Sequence, residues 1–378
     1  MGLSIAVVGL GFGQDFVPIY LAHPEVDRVV LVEPNAEHLA EVAARFAIPD
    51  VDARSDIATV LADPTIDAVH ILAPVFLHAD LAVRVLESGK HCACAVPMAT
   101  TLDDIDRIRA AQASSEKSYT MMETTVFARE FFEVRGMVER GEIGDPTLYR
   151  GFHIQNLDGF PAYWQGYPPM HYITHALAPA LALYDTRVTR VAARGAGVLT
   201  GEQKSGGFDN RFPTEAGLFE LEGTPLLADI TMSFFNTARS YVEGFALYGS
   251  KRGVEWPEDN EGPLTVHDMG APAPGTRGNA ISTCTVAPGD PVETLPETLR
   301  AFVDWNEVQL PGMPAPVRVN AYHGGSHPYL VHEFVSSLVE SRPSSVDQDR
   351  AAEWTAPGIV AHDSAMRDGE WLEVPSYR

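Results

Sequence analysis

The feature that most constrains this chain is a short apolar run that ends at a cluster of glycines. Ser4-Ile5-Ala6-Val7-Val8 leads into Gly9-Leu10-Gly11-Phe12-Gly13-Gln14, and a helical stretch begins at Phe16. A run this short, without polar alternation and bounded by turn residues, reads as a buried strand. Glycines after such a strand let the chain turn tightly. They bring backbone N–H groups and the next helix N-terminus up to a pyrophosphate. The unit then recurs. Val29-Val30-Leu31-Val32 precedes a helix over 37–46, and Ala68-Val69-His70-Ile71-Leu72 precedes one over 80–87 that Gly89 closes. Continuous apolar strands separated by helices predict a parallel sheet covered on both faces, an α/β doubly wound Rossmann domain over residues 1–125.

From about Leu148 the pattern changes to alternation, as in Leu218-Phe219-Glu220-Leu221 and in Tyr241-Val242-Glu243-Gly244-Phe245. Half-solvated antiparallel strands alternate in this way, so residues 126–378 are expected to form an α+β domain with a large open, mostly antiparallel sheet. Residues 257–318, rich in Pro and Gly, read as long loops, and 332–340 and 349–365 as late helices, the last packing back on the first domain. An exposed sheet face with alternating apolar residues needs cover, and a homodimer or homotetramer is expected.

Charge narrows the partners. Against 51 Asp+Glu stand 27 Lys+Arg, a net charge of −24. Nucleic acids and anionic membranes are bound by basic surfaces, which excludes them as main partners. No run reaches the ~18 apolar residues that a membrane span needs. Met1-Gly2-Leu3-Ser4 carries no basic region, so no signal peptide is expected. Cys92, Cys94 and Cys284 read as reduced thiols, consistent with a cytoplasmic protein.

The glycines of the first turn do not keep strict G-x-G-x-x-G spacing, because the third falls at Gly13 and Gln14 takes the expected place. The second strand ends at Glu33, twenty residues beyond Gly13. A carboxylate there accepts from ribose hydroxyls and repels a 2′-phosphate, which favours NAD over NADP.

Two further segments, Ile71-Leu72-Ala73-Pro74 with His78, and Gly89-Lys90-His91-Cys92-Ala93-Cys94-Ala95-Val96-Pro97, resemble the glucose–fructose oxidoreductase/inositol dehydrogenase (Gfo/Idh/MocA) family. The resemblance covers essentially the whole chain, with Gly141-Glu142-Ile143-Gly144 matching the usual start of the second domain. It implies an NAD site that includes Phe12, Gln14, Ala73, Pro74, His78 and Pro97 beside Gly9, Gly11, Gly13 and Glu33, with His78 and Lys90 as scaffold or nucleotide-edge residues. In sugar dehydrogenases of that family this strand ends Glu-Lys-Pro, and the lysine is credited with activating the substrate hydroxyl. Here Ala95-Val96-Pro97 stands instead, and valine moves no protons.

Met121-Met122-Glu123 with Phe127, Tyr172-Ile173-Thr174-His175 and Tyr322-His323-Gly324-Gly325-Ser326-His327 resemble the NAD-dependent glycoside hydrolases of the same fold, the α-N-acetylgalactosaminidase group and its sulfoquinovosidase-like relatives. That resemblance implies glycoside cleavage through transient oxidation at C3, with His175 or Tyr172 receiving the hydroxyl proton. On a helix His171, Tyr172 and His175 share one face. Tyr172 stands where a metalloprotease motif carries Glu, so no metal is expected. Glu123, His171 and His327 are candidates for sugar hydroxyls, and Trp164, beside Tyr163, for stacking on a sugar face. Arg129 and Arg239, with Arg150 and Arg211, are the cations to test against an anionic sugar such as a sulfoquinovoside. A sugar or polyol dehydrogenase with His175 as base, and a nucleotide-binding relative without chemistry, are the alternatives.

Overall fold

In the parallel sheet the central strands, Leu3–Val8 and Ala68–Ile71, are buried along most of their length and demand cover on both faces. The computed structural model describes residues 2–257, 262–272, 274–275, 277–313 and 315–378. Its chain divides into two units, Met1–Phe127 with Pro291–Ala352, and Ala128–Asp290 with Glu353–Arg378. The first unit holds β1 (Leu3–Val8), β2 (Val26–Val32), β3 (Ala53–Arg54), β4 (Ala68–Ile71), β5 (His91–Cys94) and β6 (Tyr119–Met121). All pairs are parallel, in the order β3-β2-β1-β4-β5-β6, the doubly wound order that reverses beside β1. Between them run helices with legible starts. Asn35 accepts from Glu37 N and His38 N ahead of Ala36–Arg45, and Thr101 accepts from Asp104 N ahead of Leu102–Ser115. Lys90 is scaffold here: its Nζ donates to Asp63 O and Ile66 O at 2.6 and 3.0 Å.

The second unit is built on β7 (Pro146–Ile154), β8 (Val188–Ala196), β9 (Thr214–Leu221), β10 (Leu227–Ser233), β11 (Val242–Gly249), β12 (Arg252–Glu255), β13 (Leu264–Pro272) and β14 (Asn279–Val286). A two-stranded ribbon of β15 (Asn306–Val308) and β16 (Val317–Val319) belongs to the first unit, and β17 (Leu372–Glu373) closes the second. The nine-stranded order is β14-β13-β12-β11-β7-β10-β9-β8-β17, antiparallel except for β7 beside β10. Among the described residues no helix is long and apolar enough to cross a membrane.

The order and extent of the elements differ from the sequence reading in three places. Residues 291–352 group with the first unit, so the second domain is not continuous over 126–378. Within 257–318, expected to be loops, lie β13 and β14, β15 and β16, with part of that stretch outside the described residues. Most of β14 is exposed on both faces, so its sequence carries no buried period to read. The helix expected from 332 starts earlier and spans His327–Val339.

One helix fixes the functional geometry of the second unit. Thr174–Tyr184 is apolar around most of its circumference, lies against β7, β10 and β11, and ends at Asp185 in the left-handed conformation. It touches β7 backbone to backbone. A Cβ on Gly151 would stand 2.1 Å from Ala176 O, the same oxygen that accepts from the buried Tyr149 Oη at 2.7 Å. Gly151→Ala is therefore expected to lower stability by about 2–4 kcal/mol through overpacking against backbone, read as a fall in denaturant midpoint at unchanged m.

Candidate active site

The first unit carries a nucleotide cradle. Gly9 has φ +87°, and a Cβ there would meet Ala73 N and Leu72 O at 2.8 Å, so the turn after β1 rests directly on the chain leaving β4. Around Gly11 a Cβ would meet nothing within 4 Å, an open surface for a pyrophosphate. A Cβ on Gly13 would press on Val7 Cγ1 at 3.2 Å and Leu72 Cδ1 at 3.3 Å, so this glycine allows the helix to lie close on β1. Tight turn, ligand approach and helix packing are the three tasks of the dinucleotide glycines, filled here despite the shortened spacing.

Glu33, just past β2, accepts from Leu10 N through Oε2 at 3.1 Å and from Asn35 N through Oε1 at 3.0 Å. The carboxylate is thus fixed across the glycine turn. Replacing Glu33 by serine is expected to lower the preference for NAD over NADP by roughly 10- to 100-fold in a fluorescence titration of both, the worth of one or two charge-assisted hydrogen bonds. Gln14 donates to Gly11 O at 2.9 Å and accepts from Arg45 at 2.6 Å. His78, buried, has its ring nitrogens 2.8 Å from Pro97 O and 2.9 Å from Ala73 O, tying the loop of Ala73 and Pro74 to that of Pro97. Val96, the residue before Pro97, is buried.

Two candidates for sugar contacts belong to this unit. Glu123, fully buried after β6, accepts from Thr125 N through Oε1 at 2.9 Å. His327 is a correction: it opens the helix that the sequence reading starts only at 332, with its ring 4.5 Å from Phe16 and 5.5 Å from Phe12, centroid to centroid. It joins the aromatic side of the nucleotide turn.

The second unit gathers a titratable cluster. Tyr172 ends the 3-10 turn Pro169–Tyr172, and His175 lies in the first turn of Thr174–Tyr184. Their rings stand 5.0 Å apart. His153 on β7 completes the group, with its ring 5.5 Å from His175, 5.7 Å from Tyr172 and 4.7 Å from Tyr241. Beneath them is a carboxylate: Glu243 Oε2 lies 3.4 Å from His175 Nδ1 and accepts from Tyr241 Oη at 2.5 Å. Glu243 and His153 are register partners on β11 and β7, and His153, His175 and Glu243 are all buried. A carboxylate at Nδ1 holds the tautomer that bears the Nδ1 proton and makes Nε2 the basic atom. Glu130, at the start of helix Arg129–Glu139, is pushed up to about 7 by burial, with Asp290 and Glu243 adding to it.

Trp164 stands edge-on to Tyr172 at 5.6 Å and beside Tyr163 at 5.8 Å. His171 is the second correction. The 3-10 turn gives way to the α-helix at Ile173–Thr174, so His171 does not share a face with Tyr172 and His175. Its ring faces His362 at 5.0 Å and Tyr167 at 6.0 Å. Arg129 pairs with Asp290 at 3.4 Å, Arg150 with Asp229 at 3.5 Å, and Arg239 Nη1 donates to Ser240 Oγ at 3.0 Å. Arg211 is exposed. Sequence reasoning missed His153, Tyr241 and Glu243. The strand over 241–248 was legible, and a tyrosine and a carboxylate two apart on one strand face are a signal, but which strand pairs with it is not in the local pattern.

Strand order and cradle together define a dinucleotide-binding Rossmann unit. Residues 3–123 match the GFO_IDH_MocA family model, described as the oxidoreductase family with an NAD-binding Rossmann fold. Over 202 residues, 48% of the chain, it is 30% identical to a glycosyl hydrolase family 109 protein of Porphyromonas gingivalis, covering 43% of that protein. Over 172 residues, 42% of the chain, it is 28% identical to the levoglucosan dehydrogenase of Pseudarthrobacter phenanthrenivorans, again covering 43%. The chain thus spans less than half the length of these curated relatives. A levoglucosan dehydrogenase solved in complex with NADH shares the fold over 100% of both chains, with a TM-score of 0.79 at 20% identity.

Proposed function

We propose that the chain is an NAD-dependent glycoside hydrolase. The reading rests on one observation: buried His175, His153 and Glu243 gather with half-buried Tyr172 and Tyr241, so that imidazole and phenol groups meet beside a carboxylate. The turn Gly9–Gly13 and Glu33 would hold NAD, which would supply a hydride acceptor for C3 of the sugar and a hydride donor at the end of the cycle. His175 Nε2 takes the C3 hydroxyl proton, and Glu243 at Nδ1 stabilises the imidazolium that results. The resulting 3-keto group acidifies the C2 proton, which Tyr172 or His153 removes. The C1–O bond then breaks, the aglycone leaves with a proton, and water adds across C1 and C2 to restore the sugar. Trp164 supplies a stacking face beside Tyr172. The similarity to the Porphyromonas gingivalis protein supports this reading.

A second reading, an NAD-dependent sugar dehydrogenase in which His175 alone acts as base, is supported by the similarity to levoglucosan dehydrogenase. Aryl glycosides with NAD⁺ separate the two. Aglycone release that requires NAD⁺ and leaves no NADH absorbance is the expected result. NADH formed in proportion to sugar, with no aglycone, would replace the first reading by the second.

A further inference from the structure

In the second unit a buried ion pair grips the backbone just ahead of Tyr172. Glu215 on β9, fully buried, accepts from Met170 N through Oε2 at 2.9 Å, and its Oε1 lies 2.7 Å from His362 Nδ1. His362 Nε2 faces Asp209 O at 3.2 Å. With an acceptor at each ring nitrogen, the imidazole donates through both and is held as a cation. Burial works against that charge, but Glu215 outweighs it, and the His362 pKa lies above its ordinary value. The neighbouring His171 is held neutral, pushed down to about 3 by burial and by the His362 charge.

The same helix, Gln348–Met366, presses on the turn from one helical turn away. A Cβ on Gly358 would stand 2.2 Å from Met170 O and 2.6 Å from Ile173 Cγ2, so helix and turn meet with no side chain between them. Gly358 and His362, four apart, share a helix face. The segment Pro169–Tyr172 is therefore held between β9 and this helix, and its last residue points the phenol ring at His175 and His153.

We infer that Glu215 and His362 are positioning residues for Tyr172, the ion pair fixing the turn that sets the phenol against the two imidazoles. The inference rests on the reading of Tyr172 as a proton-handling group at the sugar. Apolar side chains replace many buried ion pairs with little loss of stability, but none accepts a hydrogen bond from Met170 N, so the pair supplies direction beyond packing.

Double-mutant kinetics with Tyr172→Phe test it. Glu215→Ala is expected to lower kcat on an aryl glycoside roughly 10- to 100-fold with KM little changed, the scale of a sub-ångström to ångström misplacement. Glu215→Gln, which restores an acceptor oxygen for Met170 N, recovers part of that loss. In the Tyr172→Phe background, Glu215→Ala is expected to add less than about twofold, because both changes act on one group. Equal losses in both backgrounds would overturn the inference. Should the alanine variant fail to fold, the glutamine variant carries the same cycle. A readout without turnover keeps the two readings separate: the ¹³Cζ resonance of Tyr172, assigned with Tyr172→Phe, should shift in Glu215→Gln. An inactive wild type with a shifted resonance sinks the glycosidase and spares the positioning. An active wild type with an unmoved resonance sinks the positioning.

Discussion

Replacing His175 by alanine is expected to lower kcat by about 10²- to 10⁴-fold, the usual contribution of a positioned general base, while the Kd for NAD stays within about twofold. The expectation follows from where the residue stands. His175 belongs to the second unit, and the glycines and Glu33 that define the nucleotide cradle belong to the first. Its Nδ1 is directed to Glu243, so the side chain is oriented for proton transfer by the same carboxylate that holds Tyr241. Glu243→Gln should then cost kcat as well, because the amide no longer stabilises an imidazolium, though less than loss of the ring. Stopped-flow turnover with isothermal titration of NAD checks both. Full activity in His175→Ala would remove this residue from the site.

The second large effect concerns the cradle. Gly9→Ala is expected to destabilise the first unit by about 2–4 kcal/mol and to weaken NAD binding by more than roughly 100-fold. Two penalties coincide there. The backbone at φ +87° is one that side chains rarely adopt, and the new Cβ would stand 2.8 Å from the backbone of Leu72 and Ala73. Neither contact is with a flexible side chain, so relief requires moving the end of β4 away from β1. Gly11→Ala is the control: its Cβ would meet no protein atom, so it should leave stability nearly unchanged and reduce NAD binding alone. Thermal melts with and without NAD separate the two effects.

How much of this was legible beforehand follows from how local each signal is. The run from Ser4 to Gly13 and the acid at Glu33 announce the parallel sheet and its nucleotide, because a buried strand, a glycine turn and a carboxylate at the next strand end are each short-range patterns. The Tyr172–His175 pair was legible from spacing three apart, and the rings do meet. His171 was misplaced because the turn Pro169–Tyr172 winds more tightly than the helix after it, which rotates that side chain toward His362. His153, Tyr241 and Glu243 come together only through the pairing of β7 with β11, a contact between residues about 90 positions apart that no local pattern specifies. The tie of residues 291–352 to the first unit is long-range in the same way.

In the proposed cycle the C2–H bond of the sugar, next to a transient ketone, is broken and remade at every turnover. Turnover of a glycoside in D₂O with NAD⁺, followed by NMR of the released sugar, measures this directly. Deuterium at C2 of the product, with NADH absent at the end, is the predicted result. A product that keeps its C2 proton while the aglycone is released would contradict the account.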